Sequence, residues 1–223
     1  MARLLADLSS YLRSGSSLAQ QQQTVLHPAL PVPGLAPLLT ELPRGGIAEV
    51  TGPRSSGRMA VLLHVLAQAT SRGEVCALLD THDQFAPHSA AAAGVLLPQL
   101  VWVRGQNRPD DMLRAADLLL HAGGFGVIVL DLPEVAAAVW NRIPTSWWYR
   151  FQRAAEHTPT ILVLCTEKPQ ARACAQISIE LTSPSVEWRG TSCFALLRRF
   201  ETLAHLRKPA GRPATSLSIR AVS

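Results

Sequence analysis

Short apolar runs without a polar break alternate with helical segments through the middle of the chain. Val127–Asp131 reads VIVLD and Thr160–Cys165 reads TILVLC, and neither run shows the alternation of a strand with one solvated face. Strands buried on both faces are typical of a parallel sheet with helices on either side. The pattern predicts an α/β fold with an open, doubly wound, mainly parallel sheet, and such sheets bind ligands at the carboxyl ends of their strands. Further strands are predicted at Gly46–Val50, Glu74–Asp80 and Leu100–Arg104, and helices at Arg58–Ser71, Pro109–His121 and Thr145–His157.

The last third of the chain has a different pattern. Residues 177–181, 193–197 and 217–219 alternate more between apolar and polar side chains. Such alternation is typical of strands with one solvated face. It predicts antiparallel strands at a sheet edge near the C-terminus.

Three regions are predicted along the chain. Residues 1–14 have the apolar spacing of an amphipathic helix, and residues 14–37 are rich in Ser, Gly, Gln and Pro. A segment of that composition cannot build a core alone, so residues 1–37 are interpreted as an N-terminal helix and connector arm that packs against a partner. Residues 38–206 are predicted to form the core domain, and residues 207–223 a basic tail or an edge strand.

The composition argues against several classes of protein. No apolar run approaches the ~20 residues that cross a bilayer. The first residues also lack the apolar stretch and cleavage site of a secretory signal. The four cysteines form no Cys-x-x-Cys pair, which disfavours a zinc site and favours reduced thiols in the core of a cytoplasmic protein.

The positive charge is concentrated at the C-terminal end. From Arg189 onward the chain has seven basic residues and one acidic residue, so this segment carries +6 and the rest of the chain −1, for a net charge of +5. A basic end on a near-neutral body favours contact with a polyanion or an acidic partner. A solvated tail without a function is the alternative. The candidate contact residues are Arg198, Arg199, Arg207, Lys208 and Arg212.

A glycine-rich turn joins the first predicted strand to the first predicted helix. The glycines permit a tight turn whose N–H groups, together with the helix N-terminus, face an anion, as in a phosphate-binding loop. The full pattern has Lys and then Ser or Thr after the second glycine, whereas this chain has Arg58 and Met59. The candidate binding residues are Gly52, Pro53, Arg54, Ser55, Ser56, Gly57, Arg58 and Met59.

The two replacements have different consequences. Arg58 keeps the positive charge, but its planar guanidinium is bulkier than an ammonium group between phosphates. Met59 has no hard oxygen for Mg²⁺. Because cation and metal stabilise the transferring phosphoryl group, the turn predicts binding of ATP or ADP without efficient hydrolysis, and it argues against Mg²⁺. The alternative is a turn that binds no nucleotide.

The same region resembles the RecA family. Leu42–Val50 (LPRGGIAEV) followed by GPRSSGR is similar to that family's opening strand and loop, where a GPESSGKT-type sequence is usual. The likeness continues through Arg72–Asp80 (RGEVCALLD) and Val127–Asp131, and it covers roughly residues 38–182. It implies a RecA-like fold, an adenine nucleotide at the glycine-rich turn and an Asp131 that holds a metal-bound water. A strand-end aspartate that caps a loop is the alternative for Asp131.

The departures from that family lie at positions of nucleotide chemistry and DNA contact. Where the recombinases have a water-activating glutamate this chain has His82, and Thr166 stands where they have a glutamine that senses the γ-phosphate. The stretches that correspond to the family's DNA-binding loops, about 132–146 and 167–176, are short. The resemblance therefore implies no strand exchange, and no catalytic residue is assigned.

Within the family, this combination is most similar to the ImuA-like branch. The resemblance implies an accessory protein of DNA repair and damage tolerance, acting in the SOS response and translesion synthesis. Its partners would be translesion polymerase components, with nucleic acid as a further one and no membrane. Two alternatives remain. One is a divergent DNA-dependent ATPase in which Ser55 or Ser56 reaches the metal beside Arg58. The other is a nucleotide-free protein-binding module similar to RecA-fold inhibitors of cell division.

An aromatic and basic run lies in the last predicted helix. Helical spacing places Trp147, Phe151 and Ala154 on one face, which predicts that they belong to the core and that Trp148 and Arg150 are exposed. Packing within the fold is the favoured interpretation of this run. Stacking on nucleic acid bases or contact with a protein partner through Trp148 and Arg150 is the alternative.

Overall fold

The computed structural model describes Leu42 and residues 44–133, 135, 137–189, 196–208 and 215–220, with the backbone alone at 137–138, 183–184, 189, 196–199 and 215–220. The helix and connector predicted over residues 1–37 lie outside the described residues. No helix in the described part is long and apolar enough to cross a bilayer. The strands are β1 (Gly46–Thr51), β2 (Cys76–Asp80), β3 (Leu100–Arg104), β4 (Val127–Leu132), β5 (Ile161–Thr166), β6 (Ala175–Arg189), β7 (Leu196–Lys208) and β8 (Thr215–Arg220). The helices are α1 (Arg58–Ser71), α2 (Pro87–Ala92), α3 (Pro109–Ala122), α4 (Ala137–Trp140) and α5 (Ser146–Ala155), with short 3-10 turns at Leu97–Gln99 and Arg172–Cys174.

The described strands form one sheet in the order β3-β2-β4-β5-β1-β6-β7-β8. Every pairing among β1 to β6 is parallel. β7 pairs antiparallel with both β6 and β8. The predicted α/β class, a mainly parallel doubly wound sheet with antiparallel strands at its C-terminal edge, is therefore confirmed.

Hydrophobic side chains cover both faces of the central sheet. On one face α1 contributes Leu62 and Leu66, and on the other α3 and α5 contribute Leu113 and Phe151. All four are almost wholly buried, and burial of each stabilises the fold by roughly 1.5–3 kcal/mol. Because both faces are covered, the central strands β1, β2, β4 and β5 are buried along their whole length. That coverage is why uninterrupted apolar runs predicted them.

Strand β6 differs from the prediction. The alternation at residues 177–181 predicts an antiparallel edge strand, but β6 is an interior strand that pairs in parallel with β1 and antiparallel with β7. Ile177, Ile179 and Leu181 pack on the α1 side, whereas the core on the α3–α5 side contains no described β6 residue beyond Ala175. The alternation therefore reflects a helix on one face of the strand and not a position at the sheet edge.

The remaining C-terminal predictions fall in and around the described strands. Residues 217–219 lie within β8, and of residues 193–197 only 196 and 197 lie within the described part, in β7.

The described cysteines are free and buried, as the sequence predicts for thiols in the core. They are Cys76, Cys165 and Cys174.

Candidate functional site

The carboxyl ends of the parallel strands meet at one edge of the sheet. Asp80 of β2, Asp131 of β4 and Cys165 of β5 are direct neighbours in the strand register. Val50 of β1 lies beside Cys165, and the glycine-rich turn begins two residues later. The fold therefore brings Asp131 and the predicted phosphate-binding turn to the same edge.

The glycine-rich turn is compact at both glycines. Gly57 has a positive φ angle of 91°, which glycine adopts without strain. Ser55 also has a positive φ angle, of 57°. A Cβ atom at Gly52 would lie 2.4 Å from Ser56 Oγ and 2.7 Å from Leu181 O. Only glycine therefore fits at position 52. Among the other predicted loop residues, Pro53, Arg54 and Ser55 are exposed, and Met59 is half-buried.

Several hydrogen-bond donors in this turn are unused. Helix α1 begins without a side-chain N-cap, so the N–H groups of its first turn are available to a ligand. Ser56 Oγ and Arg58 Nη1 are buried and have no partner among the described residues, although their side chains are only 1% and 9% exposed. A buried unsatisfied group costs about 1–3 kcal/mol. The turn therefore fits an anion such as a phosphate group, which would accept from these donors.

Asp131 lies next to the turn in a poorly solvated position. Its side chain is 4% exposed, and burial raises its pKa to about 6 against the smaller lowering effects of the Cys165 hydrogen bond and the Arg58 charge. Burial and the charge of Asp131 raise the pKa of Cys165 well above its ordinary value, so this thiol is neutral. Arg58 lowers the pKa of both groups, which places its charge close to Asp131.

The oxygen ligands that Mg²⁺ prefers are few at this edge. Met59 supplies none, and Asp80 uses its carboxylate to accept from Gln84 N at 3.1 Å and Phe85 N at 2.8 Å. No group of three or more His, Cys, Asp or Glu that could hold a metal occurs in the described part of the chain. Met59 in place of the Ser or Thr of the phosphate-loop pattern therefore removes one oxygen ligand, while Asp131 remains as a carboxylate at this edge.

The two positions at which the resemblance implies altered chemistry are both near this edge. His82 is half-buried, and its Nδ1 atom is buried without a hydrogen-bond partner among the residues described. Thr166 Oγ1 donates to Lys168 O at 2.9 Å, so that side chain is engaged in shaping the loop after β5.

A contact that the sequence does not reveal connects the turn to the C-terminal strands. Thr202 Oγ1 in β7 lies 2.7 Å from Ser56 O and 2.8 Å from Thr182 O. Thr202 is fully buried, so its hydroxyl fastens the main chain of the turn to the β6–β7 pair. No local pattern signals this contact, because the two residues are 146 positions apart.

A cleft of about 480 Å³ lies between the two short stretches that stand at the positions of DNA-binding loops in the resemblance. The second stretch is held by Glu49 of β1, whose Oε1 accepts from Gln170 N at 2.5 Å and Ala171 N at 2.9 Å. The cleft is therefore anchored to the strand that leads into the glycine-rich turn. The sequence identifies the stretches but not Glu49. The cleft is lined by Trp140, Asn141, Ile143, Thr145, Trp148, Lys168, Pro169, Gln170 and Arg172.

The expected exposure of Trp148 is wrong. Helix α5 buries Trp148, Phe151 and Ala155, and Trp148 is only 3% exposed. Its ring meets Phe151 edge-on, with 5.9 Å between the ring centroids, while Trp147 is half-buried at the flank. The prediction identified an apolar helical face but placed it one residue too early. Arg150 is exposed as predicted, and it pairs with Asp117 of α3.

The predicted basic residues of the C-terminal end make contacts within the chain where they are described. Arg207 Nε donates to Glu180 Oε2 at 2.6 Å, and Lys208 Nζ donates to Ala173 O at 2.9 Å. These contacts fasten the end of β7 to β6 and to the turn before it. Arg198 and Arg199 lie in β7 where the backbone alone is described, and Arg212 lies outside the described residues.

Comparison with known proteins finds one family and a set of partial relatives. The family model of the RecA N-terminal domain matches residues 15–142, more than half of the chain. The chain is 41% identical to Protein RecA of Rhodospirillum rubrum over 98 residues, which are 44% of this chain and 26% of that protein. It is 35% identical over 98 residues to Protein RecA of Rickettsia massiliae and 38% identical over 97 residues to Protein RecA of Lactobacillus delbrueckii subsp. bulgaricus. Each of these two matches covers 44% of this chain and 28% of the relative. The matched stretch thus spans only about a quarter of the length of these relatives.

Proposed function

The chain belongs to the RecA N-terminal domain family, and from this premise we propose that it is a RecA-like accessory protein of DNA repair. In this proposal it binds ATP or ADP and does not hydrolyse ATP efficiently. The observation that carries the proposal is the glycine-rich turn. Its buried unpartnered donors suit a phosphate, while Arg58 and Met59 stand where the phosphate-binding pattern has Lys and Ser or Thr.

Weak hydrolysis follows from what the turn and its neighbours supply. Phosphoryl transfer depends on a metal ion and a positioned water as well as on a bound nucleotide. Met59 provides no metal ligand, and His82 and Thr166 replace the two polar groups that the resemblance associates with the attacking water and the γ-phosphate. The residues of this chain therefore bind and orient a nucleotide better than they activate water.

The finer assignment is to the ImuA-like branch, with a role in DNA damage tolerance and translesion synthesis. It is supported by the joint alteration of the nucleotide positions and of the two short stretches around the cleft. In this role the protein is a scaffold for translesion polymerase components. The cleft, the C-terminal basic residues and the N-terminal arm are the candidate contact regions, with nucleic acid as a further partner.

The test of the enzymatic part is ATP turnover by the purified full chain in Mg²⁺, with and without single-stranded DNA. We expect negligible turnover under both conditions, together with measurable binding of ADP or ATP by calorimetry. Robust DNA-stimulated turnover would establish the divergent ATPase instead. Absence of heat with every adenine nucleotide, combined with binding of a protein partner, would support the nucleotide-free module.

The test of the partner assignment uses purified translesion polymerase components. We expect a stable complex with the full chain in gel filtration at physiological salt. The matched control is a RecA recombinase in place of this chain, which keeps the family fold but not the altered positions. Absence of a complex with any component would contradict the translesion assignment and leave the nucleotide proposal standing.

A further inference from the structure

Arg58 is a buried cation with an unused hydrogen-bond donor. It is the first residue of α1, its side chain is 9% exposed, and its Nη1 atom finds no acceptor in the described part of the chain. A buried charge without full compensation is unfavourable. The position therefore favours an anion that can accept from this guanidinium and from Ser56 Oγ, the second unpartnered group in the same turn.

The titratable groups near Arg58 compensate its charge only in part. The Arg58 charge lowers the pKa of Asp131 of β4, but the Asp131 carboxylate also accepts a hydrogen bond from the neutral Cys165 thiol of β5. Asp80 of β2 is committed to the main-chain N–H groups of the loop that follows it. In the described part of the chain, the Asp131 carboxylate is thus shared between the Cys165 thiol and the Arg58 charge, and the N–H groups of the first turn of α1 add further positive potential.

A divalent cation would meet two obstacles at this site. Bound to Asp131, it would share that carboxylate with the Arg58 guanidinium, which is bulkier than the ammonium group of the phosphate-loop pattern. It would also find a thioether at Met59, where a hydroxyl oxygen would serve as a ligand. The same two residues that weaken the metal site leave a positive charge in place without any metal.

We infer that the glycine-rich turn binds the pyrophosphate of ADP or ATP in its metal-free form, with Arg58 supplying the positive charge that Mg²⁺ supplies in a metal-dependent site. The inference rests on the proposed nucleotide binding and adds to it a charge-supplying residue and independence from metal. A planar guanidinium can donate two bonds to one phosphate group, which suits a free phosphate better than one already bound to a metal.

The experiment is calorimetry of ADP with the full chain, in excess EDTA and in excess Mg²⁺. We expect the Kd in EDTA to be equal to or lower than the Kd in Mg²⁺. Arg58→Met should raise the Kd in EDTA at least about tenfold, as the loss of one charge-assisted bond implies. Arg72→Met removes the same charge from the exposed C-terminal end of α1, and it should leave the Kd within about twofold, because surface charges of this kind interact weakly.

A second measurement separates binding from folding. Inorganic pyrophosphate in EDTA should raise the Tm of the wild type and of Arg72→Met but not of Arg58→Met. The Tm of each variant with pyrophosphate is compared with its own Tm without ligand, so that an effect of Arg58→Met on the fold is separated from the loss of ligand binding. A Tm increase of equal size in Arg58→Met would overturn the role given to Arg58.

The double variant Arg58→Lys/Met59→Thr tests the reverse change. It restores the pattern of a metal-dependent phosphate loop, so its Kd for ADP should become at least about tenfold lower in Mg²⁺ than in EDTA. ADP binding by the wild type in Mg²⁺ but not in EDTA would overturn the metal-free inference and leave the proposed nucleotide binding intact. Absence of binding by the wild type in both would overturn both.

Discussion

Thr202 Oγ1 lies 2.7 Å from the main-chain oxygen of Ser56, so the strand β7 of the C-terminal region holds the glycine-rich turn directly. The same hydroxyl lies 2.8 Å from Thr182 O in β6. The conformation of the turn therefore depends on the antiparallel strands as well as on β1 and α1. A single fully buried hydroxyl connects the two parts of the sheet at this point.

Thr202→Val should weaken both the fold and ligand binding in the turn. The substitution keeps the volume of the side chain but removes the one O–H donor that the carbonyl groups of Ser56 and Thr182 share, at a cost of about 1–3 kcal/mol in the free energy of unfolding. Chemical denaturation measures this loss. Thr202→Ser retains the hydroxyl and should lose less, and equal losses in the two variants would show that the hydrogen bonds are unimportant.

Glu49→Ala should loosen the stretch that lines the second side of the cleft. Glu49 accepts from the N–H groups of Gln170 and Ala171, and loss of a bond to a charged acceptor is worth about 1.5–3 kcal/mol. Amide hydrogen exchange of these two residues should accelerate at least about tenfold. The exchange rate of the Val163 amide, in the centre of β5, should change much less and serves as the internal reference. Glu49→Gln keeps one acceptor and should give an intermediate rate.

Asp131→Asn should change the dependence of stability on pH. Burial raises the pKa of Asp131 from 3.8 to about 6, so the folded protein holds this proton more tightly than the unfolded chain. The stability that Asp131 contributes is therefore fully present below about pH 4 and is lost as the pH rises through about 6. Two pKa units correspond to roughly 3 kcal/mol. From about pH 4 to 7 the variant should gain about 2–3 kcal/mol relative to the wild type in denaturant titrations.

The control for this prediction is Asp83→Asn. Asp83 is exposed, and its hydrogen bond from Arg104 lowers its pKa, so its contribution to stability is present at neutral pH and lost in acid. The stability difference between variant and wild type should therefore change with pH in the opposite direction from that of Asp131→Asn. A pH-independent difference for Asp131→Asn would contradict the burial of its carboxyl group.

Trp148→Ala and Tyr149→Ala should differ sharply although the residues are adjacent. Trp148 is 3% exposed and packs against Phe151, whereas Tyr149 is 60% exposed. Removal of a buried Trp side chain costs about 3–5 kcal/mol, and removal of an exposed side chain usually changes stability by less than about 0.5 kcal/mol. Urea denaturation of both variants measures the difference. Similar losses would restore the expectation that Trp148 is an exposed contact residue.

The salt dependence of binding to single-stranded DNA tests the C-terminal basic residues. If Arg198 and Arg199 each contact a phosphate, replacing both by Gln should reduce the slope of log K against log salt by roughly 1.4, at about 0.7 for each contact. The control replaces Arg108, which precedes α3, and Arg114 within α3. Both are exposed and lie within ion-pair distance of Asp111 of that helix. Equal reductions in both variants would indicate a general effect of net charge.

The central strands and the glycine-rich turn are predictable because their signals are local. An apolar run such as Val127–Asp131 reflects coverage of both faces, and two glycines at fixed spacing reflect a tight turn. The buried face of α5 is harder to predict from the sequence, because the adjacent residues Trp147 and Trp148 fit either of two neighbouring helix faces. The parallel pairing of β6 with β1 and the contact of Thr202 with Ser56 depend on chain segments more than a hundred residues apart, so no local pattern contains them.

The buried thiols of Cys76 and Cys165 can report on the opening of the interior strands of the sheet. Cys76 lies in β2 with a pKa raised by burial to about 12, and Cys165 lies in β5 with a pKa higher than its ordinary value for the same reason. Alkylating reagents attack the thiolate and need access to sulfur, so both groups react only when their strands separate from the neighbouring layers. The rate of their modification, with and without a bound nucleotide, thus measures how much the ligand reduces the opening of these strands.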